Sequence, residues 1–134
     1  MQTATQLLHQ YLSSIQDPAT AAALFADDGV LELPYLASLG VPPSAQGPAA
    51  IRRFIESLLK KIPGFQFTNI RILIETGDQV FAEYDVEAEV FPTKRVYRQS
   101  YAGRLVTDGN KITLLRESLD TVAAAKAFAI PVSS

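Results

Sequence analysis

The sequence predicts an α+β fold in which a cone-shaped, curved antiparallel sheet packs on three N-terminal helices. Apolar residues recur at helical spacing in the first half of the chain, whereas apolar and polar residues alternate strictly from 80 to 91. Turn signals divide the second half into four strand-like segments. With 134 residues, of which 48% are hydrophobic, we expect a single domain over 1–134 with one core.

The first two helices are indicated by an apolar stripe and by a capping signal. The stripe is formed by residues one, three or four positions apart: Leu7, Leu8, Tyr11, Leu12 and Ile15. Asp17 before Pro18 is typical of a helix N-terminus, so a second, short helix is predicted to run through Phe25. We expect the segment 27–29, with two aspartates and a glycine, to end this helix and turn the chain.

A short strand and a long helix come next. The strand is predicted at 30–35, VLELPY, with Leu31, Leu33 and Tyr35 pointing inward. The glycine- and proline-rich loop after it is long enough to form the rim of a pocket. The helix is predicted at 49–62 from apolar residues at helical spacing: Ile51, Phe54, Ile55, Leu58, Leu59 and Ile62.

Four antiparallel strands and a last helix complete the predicted fold. The strands are expected at 65–75, 80–91, 94–107 and 111–121, and the helix at 121–129. The strand at 80–91 has an apolar face: Val80, Ala82, Tyr84, Val86, Ala88 and Val90. Its acidic face is interpreted as a solvated surface with basic neighbours, rather than a metal site: Glu83, Asp85, Glu87 and Glu89. A long curved sheet with helices on its apolar face would enclose a conical cavity, where we expect the functional site.

Composition and charge exclude several classes of function. A formal net charge of −2, from 12 basic and 14 acidic residues, provides no field for a phosphate backbone, so no nucleic acid partner is expected. The absence of cysteine excludes disulfides and thiolate metal sites. The single histidine, His9, lies off the apolar stripe, so neither Ser/His nucleophilic chemistry nor a histidine metal site is predicted. No cofactor is expected. No segment has the pattern of a signal peptide or a membrane-spanning helix, and a cytoplasmic protein without membrane contact is the default expectation.

Three segments carry a resemblance to a known family: FADDGVLELP at 25–34, the long helix beginning near Gly47, and the hairpin YAGRLVTDGNKITLLRESLD at 101–120. The chain resembles the SnoaL-like and ketosteroid isomerase-like branch of the nuclear transport factor 2-like superfamily. This resemblance implies a cystatin-like roll, a cone of curved sheet on three helices, that is often dimeric. The family's members include isomerases, polyketide cyclases, epoxide hydrolases, dehydratases and non-catalytic binding domains, so the resemblance implies a fold and not a reaction.

The family's catalytic residues are only partly present. The position that resembles the general-base aspartate of ketosteroid isomerases is Leu33, and their oxyanion aspartate falls near Tyr101 or Ala102, so a steroid-isomerase mechanism is disfavoured. Limonene epoxide hydrolases use an aspartate–arginine–aspartate set, together with a tyrosine and an asparagine that hold the attacking water. The positions that resemble the arginine and the first aspartate are Tyr84 and Val86, and those that resemble the water-holding pair are Leu31 and Leu33. Only the last carboxylate of that set is retained, as Glu117.

Glu117 and Tyr84 are the predicted catalytic residues. Glu117 shares a strand face with Thr113, Leu115 and Leu119, where loss of solvation would raise its pKa toward neutrality. If the opposite face points inward, Glu117 is instead solvated or paired with an arginine. Arg98 or Arg104 could reach it if Ser100 and Glu117 are cross-strand neighbours, although a surface ion pair is the simpler interpretation of these arginines. Residues expected to line a substrate pocket are Tyr11, Leu31, Leu33, Tyr35, Phe54, Val86, Leu115 and Leu119.

Two other features suggest function. Asp120 resembles an aspartate that some SnoaL-like cyclases use as acid or base, but capping of the last helix explains it more simply. An outer-face patch suggests a third possibility, a protein-interaction domain, and we expect a homodimer through this face: Phe81, Phe91, Tyr97 and Tyr101.

Besides a protein-interaction domain, the sequence leaves two functions open. The leading interpretation is a SnoaL-like protein that binds a small, largely apolar molecule and acts on it as a cofactor-independent isomerase, lyase or hydrolase. In that case Glu117 is the acid or base, and Tyr84 donates a hydrogen bond to the substrate oxygen. The alternative is a non-catalytic ligand-binding or dimerisation module of the same fold.

Overall fold

The computed structural model describes residues 2–131. Its helices are α1 (Ala4–Ser13), α2 (Pro18–Ala23), α3 (Pro48–Lys61) and α4 (Thr121–Phe128), with a 3-10 helix at Pro34–Leu39. Its strands are β1 (Phe25–Glu32), β2 (Ser44–Gln46), β3 (Thr68–Glu75), β4 (Gln79–Glu89), β5 (Val96–Asp108) and β6 (Lys111–Ser118). Within residues 2–131, no helix combines the length and the apolar character needed to cross a membrane.

The strands form one curved, open sheet in the order β2-β1-β6-β5-β4-β3, and the predicted α+β fold class is confirmed. Four of its five ladders are antiparallel, as expected. The exception is β1, which runs parallel to β6 and pairs Leu31 with Leu115. This parallel ladder brings the first half of the chain, with its helices, against the last strand of the long meander.

The apolar stripe of α1 packs on the inner sheet face, where Leu7, Leu8, Tyr11 and Leu12 are buried. The first two helix starts are capped by side chains that satisfy free backbone N–H groups: Thr3 caps α1, and Asp17 accepts from the Thr20 N–H at the start of α2.

The boundary between α2 and β1 differs from the prediction. Helix α2 ends at Ala23, and Phe25 already belongs to β1. Asp27 and Asp28 therefore lie exposed within a strand rather than in a turn. The reason is a register shift in the parallel ladder between Phe25 and Val30, which interrupts the alternation that marks a strand in a sequence.

Tyr35 is also placed differently from the prediction. It lies in the 3-10 helix and is 52% exposed, so it does not line an internal pocket. Pro34 lies in the first turn of that helix and ends the strand, because proline cannot donate to a ladder. The inward alternation of β1 consequently stops at Leu33.

The alternation of β4 is confirmed, and its acidic face is a solvated surface. Arg71 binds Asp85 at 3.1 Å and approaches Glu83 at 3.6 Å, and Arg98 binds Glu87 at 2.8 Å. These partly exposed pairs lie on the outer face of the sheet, as the simpler interpretation of the arginines predicted.

The predicted outer patch is wrong for two of its four members. Tyr97 and Tyr101 are 3% and 5% exposed and point inward. Residues directly opposite each other in a ladder share a face, and Tyr101 lies opposite the inward-pointing Tyr84. Phe81 and Phe91 remain outside this core.

Candidate acid–base site on the inner sheet face

Glu117 is buried on the inner face of β6 and is only 3% exposed. It follows Leu115 on that face, but Ile112 rather than Thr113 occupies the preceding inward position. The β5–β6 register shifts between Val106 and Thr107, which moves the alternation by one residue. Across the ladder Glu117 lies opposite Gly103 and not Ser100, so the condition under which Arg98 or Arg104 could reach Glu117 is not met.

The carboxyl group of Glu117 is held by Tyr84. The Tyr84 hydroxyl, on β4, donates to Oε2 of Glu117 at 2.5 Å, and Tyr84 is fully buried. The short distance is typical of a hydrogen bond to a carboxyl oxygen. Because β5 lies between these two strands, the two side chains meet over the inner face of β5, beside Gly103.

An aromatic cluster surrounds this hydrogen bond. The Tyr84 ring stacks on Tyr101 with a centroid separation of 6.0 Å and meets the edge of Phe67 at 5.1 Å. The hydroxyl groups of Tyr97 and Tyr101 lie 2.7 Å apart and hydrogen-bond to each other. Apolar rings therefore exclude water from most of the space beside Glu117.

Burial changes the protonation of the acid and of its neighbours. Loss of solvation raises the pKa of Glu117 to about 7, although the hydrogen bond from Tyr84 opposes this shift. Burial raises the pKa of Tyr84 and of Tyr11 well above the usual value for tyrosine, and a negative charge on Glu117 adds to both shifts. Both tyrosines are therefore neutral hydrogen-bond donors at any physiological pH.

Two polar atoms of the site are available for a hydrogen bond to a bound molecule. Oε1 of Glu117 and the hydroxyl of Tyr11 have no hydrogen-bond partner among residues 2–131. Within that same part of the chain, no side-chain nitrogen or oxygen is both fully buried and unpartnered. Both atoms therefore still touch space that a water-sized molecule can reach, and they are where a bound polar group could be recognised.

The other predicted pocket residues are distributed around this cluster. Leu31, Leu33, Val86 and Leu115 are buried in the same core, and Phe54 and Leu119 are half-buried against it. Their roles in binding stay predictions.

Sequence reasoning did not place five residues in the core around the site: Phe65, Phe67, Tyr97, Gln99 and Tyr101. The signal for three of them was present, because the period-two pattern of β5 gives Tyr97, Gln99 and Tyr101 one common face. Only the pairing of Tyr101 with Tyr84 identifies that face as the inner one.

Asp120 has a structural position. Its side chain accepts the Ala123 N–H and caps α4. Its backbone is held by Gln99, whose amide donates to the Asp120 carbonyl at 2.9 Å and accepts from the Asp120 N–H at 2.8 Å. The predicted helix cap is confirmed.

Two surface grooves lie away from the site. One, of about 430 Å³, runs between α2 and α3 beside Arg52 and Arg53. The other, of about 330 Å³, lies between α4 and the start of β5. Neither is lined by Glu117 or Tyr84, so access to the acid from these grooves would require movement of the packed elements.

The fold places the chain in a class of protein, the α+β domains of the ketosteroid isomerase-like and nuclear transport factor 2-like fold, whose solved structures match this chain over more than nine-tenths of its length. Within that class, the chain belongs to the SnoaL-like domain family, which matches residues 11–115. The resemblance predicted from the sequence motifs is thereby confirmed.

Individual relatives are distant in sequence and close in structure. The uncharacterized protein YesE of Bacillus subtilis strain 168 is 29% identical over 114 residues, which are 84% of this chain and 77% of YesE. A candidate isomerase from Bacillus subtilis is 27% identical, with a TM-score of 0.84 over 94% of this chain and 92% of its own. The phenazine biosynthesis-related protein PhzB2 of Pseudomonas aeruginosa is 22% identical, with a TM-score of 0.82 over 98% of this chain and 88% of its own.

Proposed function

We propose that this protein is a cofactor-independent acid–base catalyst that moves a proton on a small, largely apolar carbonyl compound. The observation that carries the proposal is Glu117, a buried carboxyl with a pKa of about 7, one oxygen bound by Tyr84 and the other oxygen free. A general acid or base is most effective when its pKa lies near the working pH, and Glu117 meets this condition.

The two oxygens of Glu117 have different roles in this proposal. Because the Tyr84 hydroxyl donates to Oε2, a proton gained by the acid resides on Oε1, the oxygen that faces accessible space. In the ionised form, Oε1 removes a proton from the carbon beside a bound carbonyl group. The electron pair of the broken C–H bond moves into a new carbon–carbon double bond, and the carbonyl oxygen becomes an enolate. If a carbon–carbon double bond lies next to the deprotonated carbon, the enolate is a dienolate. Return of the proton from Oε1 to the far carbon of that dienolate restores the carbonyl group, shifts the double bond and regenerates ionised Glu117.

Tyr11 is the proposed donor to the enolate oxygen. Its hydroxyl is neutral, buried and without a partner in residues 2–131, whereas the proton of Tyr84 is already used to hold Glu117. The role first expected for Tyr84, a hydrogen bond to the substrate, is therefore assigned to Tyr11, and Tyr84 becomes the residue that positions the carboxyl. The candidate isomerase of the same fold, 27% identical, supports chemistry of this kind.

Exchange of carbon-bound hydrogen tests the proposal without knowledge of the natural substrate. The probe is 2-tetralone, an aromatic ketone with acidic protons beside its carbonyl group, followed in deuterated buffer by proton NMR. Wild-type protein should accelerate exchange over buffer, and Glu117→Gln should reduce that acceleration by about 10²- to 10⁴-fold. The control is Glu87→Gln, which removes an exposed carboxyl from the outer face and should leave the rate unchanged.

A different outcome would favour the non-catalytic alternative. If tetralone binds to the wild type, as shown by shifted NMR signals of Tyr84 and Tyr101, while the exchange rate equals that of Glu117→Gln, the site binds ligand without catalysis.

The proposal includes a second copy of the chain as partner. Ile74 lies opposite Phe81 on the outer face, and Leu73 is its neighbour. Ile74 is 67% exposed and Leu73 50% exposed, which leaves apolar side chains in water at an edge strand. Self-association through this outer apolar patch, Leu73, Ile74 and Phe81, would cover them.

A further inference from the structure

The hydrogen bond between Tyr84 and Glu117 spans three strands. Tyr84 is on β4, Glu117 is on β6, and β5 lies between them. Neighbouring strands are about 4.8 Å apart, so the side chains of Tyr84 and Glu117 together have to span roughly 10 Å across the inner face of β5. The crossing point is set by the register, because Gly103 of β5 lies opposite both Ala82 of β4 and Glu117 of β6.

At the crossing point β5 has no side chain. A Cβ atom on Gly103 would lie 2.0 Å from the Tyr84 hydroxyl oxygen, 2.9 Å from Cζ and 3.2 Å from Cε1. The first two distances are shorter than real contacts of Cβ atoms, so any other residue displaces the end of the tyrosine ring. The inward neighbours of Gly103 on the same strand are the large residues Tyr101 and Leu105, which makes the glycine a local gap in a filled row.

The need for glycine here is one of space and not of backbone conformation. The glycines with positive φ in residues 2–131 are Gly40, Gly47 and Gly109, and Gly103 is not among them. An alanine could therefore adopt the backbone of β5 at 103 without strain. What it could not do is coexist with the Tyr84 hydroxyl in its present place.

We propose that Gly103 is a positioning residue of the acid–base site: its missing side chain leaves room for the Tyr84 hydroxyl over β5, where it holds Oε2 of Glu117. The catalytic part of this inference rests on the proposed function, whereas the positioning itself does not. With a side chain at 103, the Tyr84 ring turns away and Glu117 loses its donor, so the free carboxyl can rotate and its proton affinity increases.

A titration of Glu117 in variant proteins tests this coupling. The carboxyl is observed by NMR after labelling glutamate with ¹³C at Cδ, and its signal is identified by its loss in Glu117→Gln. Gly103→Ala should raise the titration midpoint of Glu117 by roughly one pH unit, because the ionised carboxylate loses its hydrogen bond from Tyr84. Tyr84→Phe should raise it by the same amount, and the double variant by no more than either single change.

The matched control is Gly77→Ala, since a Cβ at Gly77 meets nothing within 4 Å and this glycine also lacks a positive φ. Its Glu117 midpoint should equal that of the wild type. An unchanged midpoint in Gly103→Ala, or shifts that add in the double variant, would overturn the inference.

A stability measurement covers the case in which Gly103→Ala folds too poorly for NMR. If the alanine at 103 destabilises the protein by crowding Tyr84, Gly103→Ala should lower the melting temperature when it is introduced into the wild type. It should not do so in the Tyr84→Leu background, because the shorter leucine leaves the space beside residue 103 empty. An equal loss in both backgrounds would contradict the proposed contact. Neither readout requires a substrate, so failure of the tetralone assay and failure of this inference are separate results.

Discussion

Glu117 shows how a single residue can be both unfavourable for folding and suited to catalysis. A carboxylate without a cation partner is expensive to bury, and the protein meets this cost by shifting the proton affinity of the acid rather than by pairing it with an arginine. The available arginines are used elsewhere, for example Arg98 on Glu87 at the outer face. A pKa near neutrality is what the proposed proton-transfer role of Glu117 requires.

The pH dependence of stability should report this burial. The pKa of Glu117 is about 7 in the folded protein and close to the ordinary glutamate value of 4.5 in the unfolded chain. Between these values the folded state holds a proton that the unfolded state has lost, so the contribution of Glu117 to stability falls as pH rises and is lowest above pH 7. The loss is about 3 kcal/mol, from roughly 1.4 kcal/mol per pH unit.

Glu117→Gln cannot ionise, so its free energy of unfolding relative to wild type should increase by about 3 kcal/mol from pH 4 to pH 8. Urea denaturation at both pH values measures this, with Glu87→Gln as the control for an exposed carboxyl. A relative stability of Glu117→Gln that is independent of pH would contradict the assignment of a neutral buried acid.

At the scale of elements, helices and strands with a regular apolar pattern were predicted correctly, whereas places where the pattern is interrupted were not. The helical spacing at 49–62 corresponds to α3 at Pro48–Lys61, and the alternation at 80–91 corresponds to β4 at Gln79–Glu89. The start of β1 was missed because its ladder shifts register there, and the end of the predicted strand was missed because Pro34 starts a 3-10 helix. Irregular pairing depends on a partner strand some eighty residues away, which no local pattern contains.

The parallel junction of β1 with β6 depends on a glycine. A Cβ on Gly29 would lie 2.6 Å from the Ile112 carbonyl oxygen, an atom of the backbone that cannot turn aside. Gly29→Ala should therefore lower the free energy of unfolding by about 2 kcal/mol, as is typical of overpacking in a core. Chemical denaturation measures the effect, and Gly77→Ala, with open space around its Cβ, is the control. Equal free energies of unfolding for the two variants would show that β1 can move away from β6 without loss of stability.

At the scale of the whole molecule, the fold class could be predicted from the order of the elements and the periods of their apolar patterns. The family resemblance identified which known fold this is. The candidate site could be predicted only in part from the sequence. Glu117 and Tyr84 could be chosen one by one, as a lone carboxyl among leucines and a tyrosine on an apolar strand face. Their contact across β5, and the inward position of Tyr101, follow from the strand register, which the sequence pattern does not determine.

The proposed second copy of the chain is also a property of the whole molecule. Sedimentation velocity at micromolar concentration should show a dimer, and Ile74→Arg should convert it to a monomer by placing a charge in the outer apolar patch. The control is Glu89→Arg, which adds the same side chain at an exposed position at the end of β4. A monomeric wild type, or a dimer in Ile74→Arg, would contradict association through this face.

The central claim is that Glu117 exchanges protons with a bound molecule near neutral pH, and the pH profile of tetralone exchange tests it most directly. If ionised Glu117 is the base, kcat/KM for exchange should rise with pH, reach half its maximum near pH 7 and then level off, in keeping with the pKa of about 7. In Glu117→Gln this rise should be absent. A wild-type profile that coincides with that of Glu117→Gln at every pH would contradict the account.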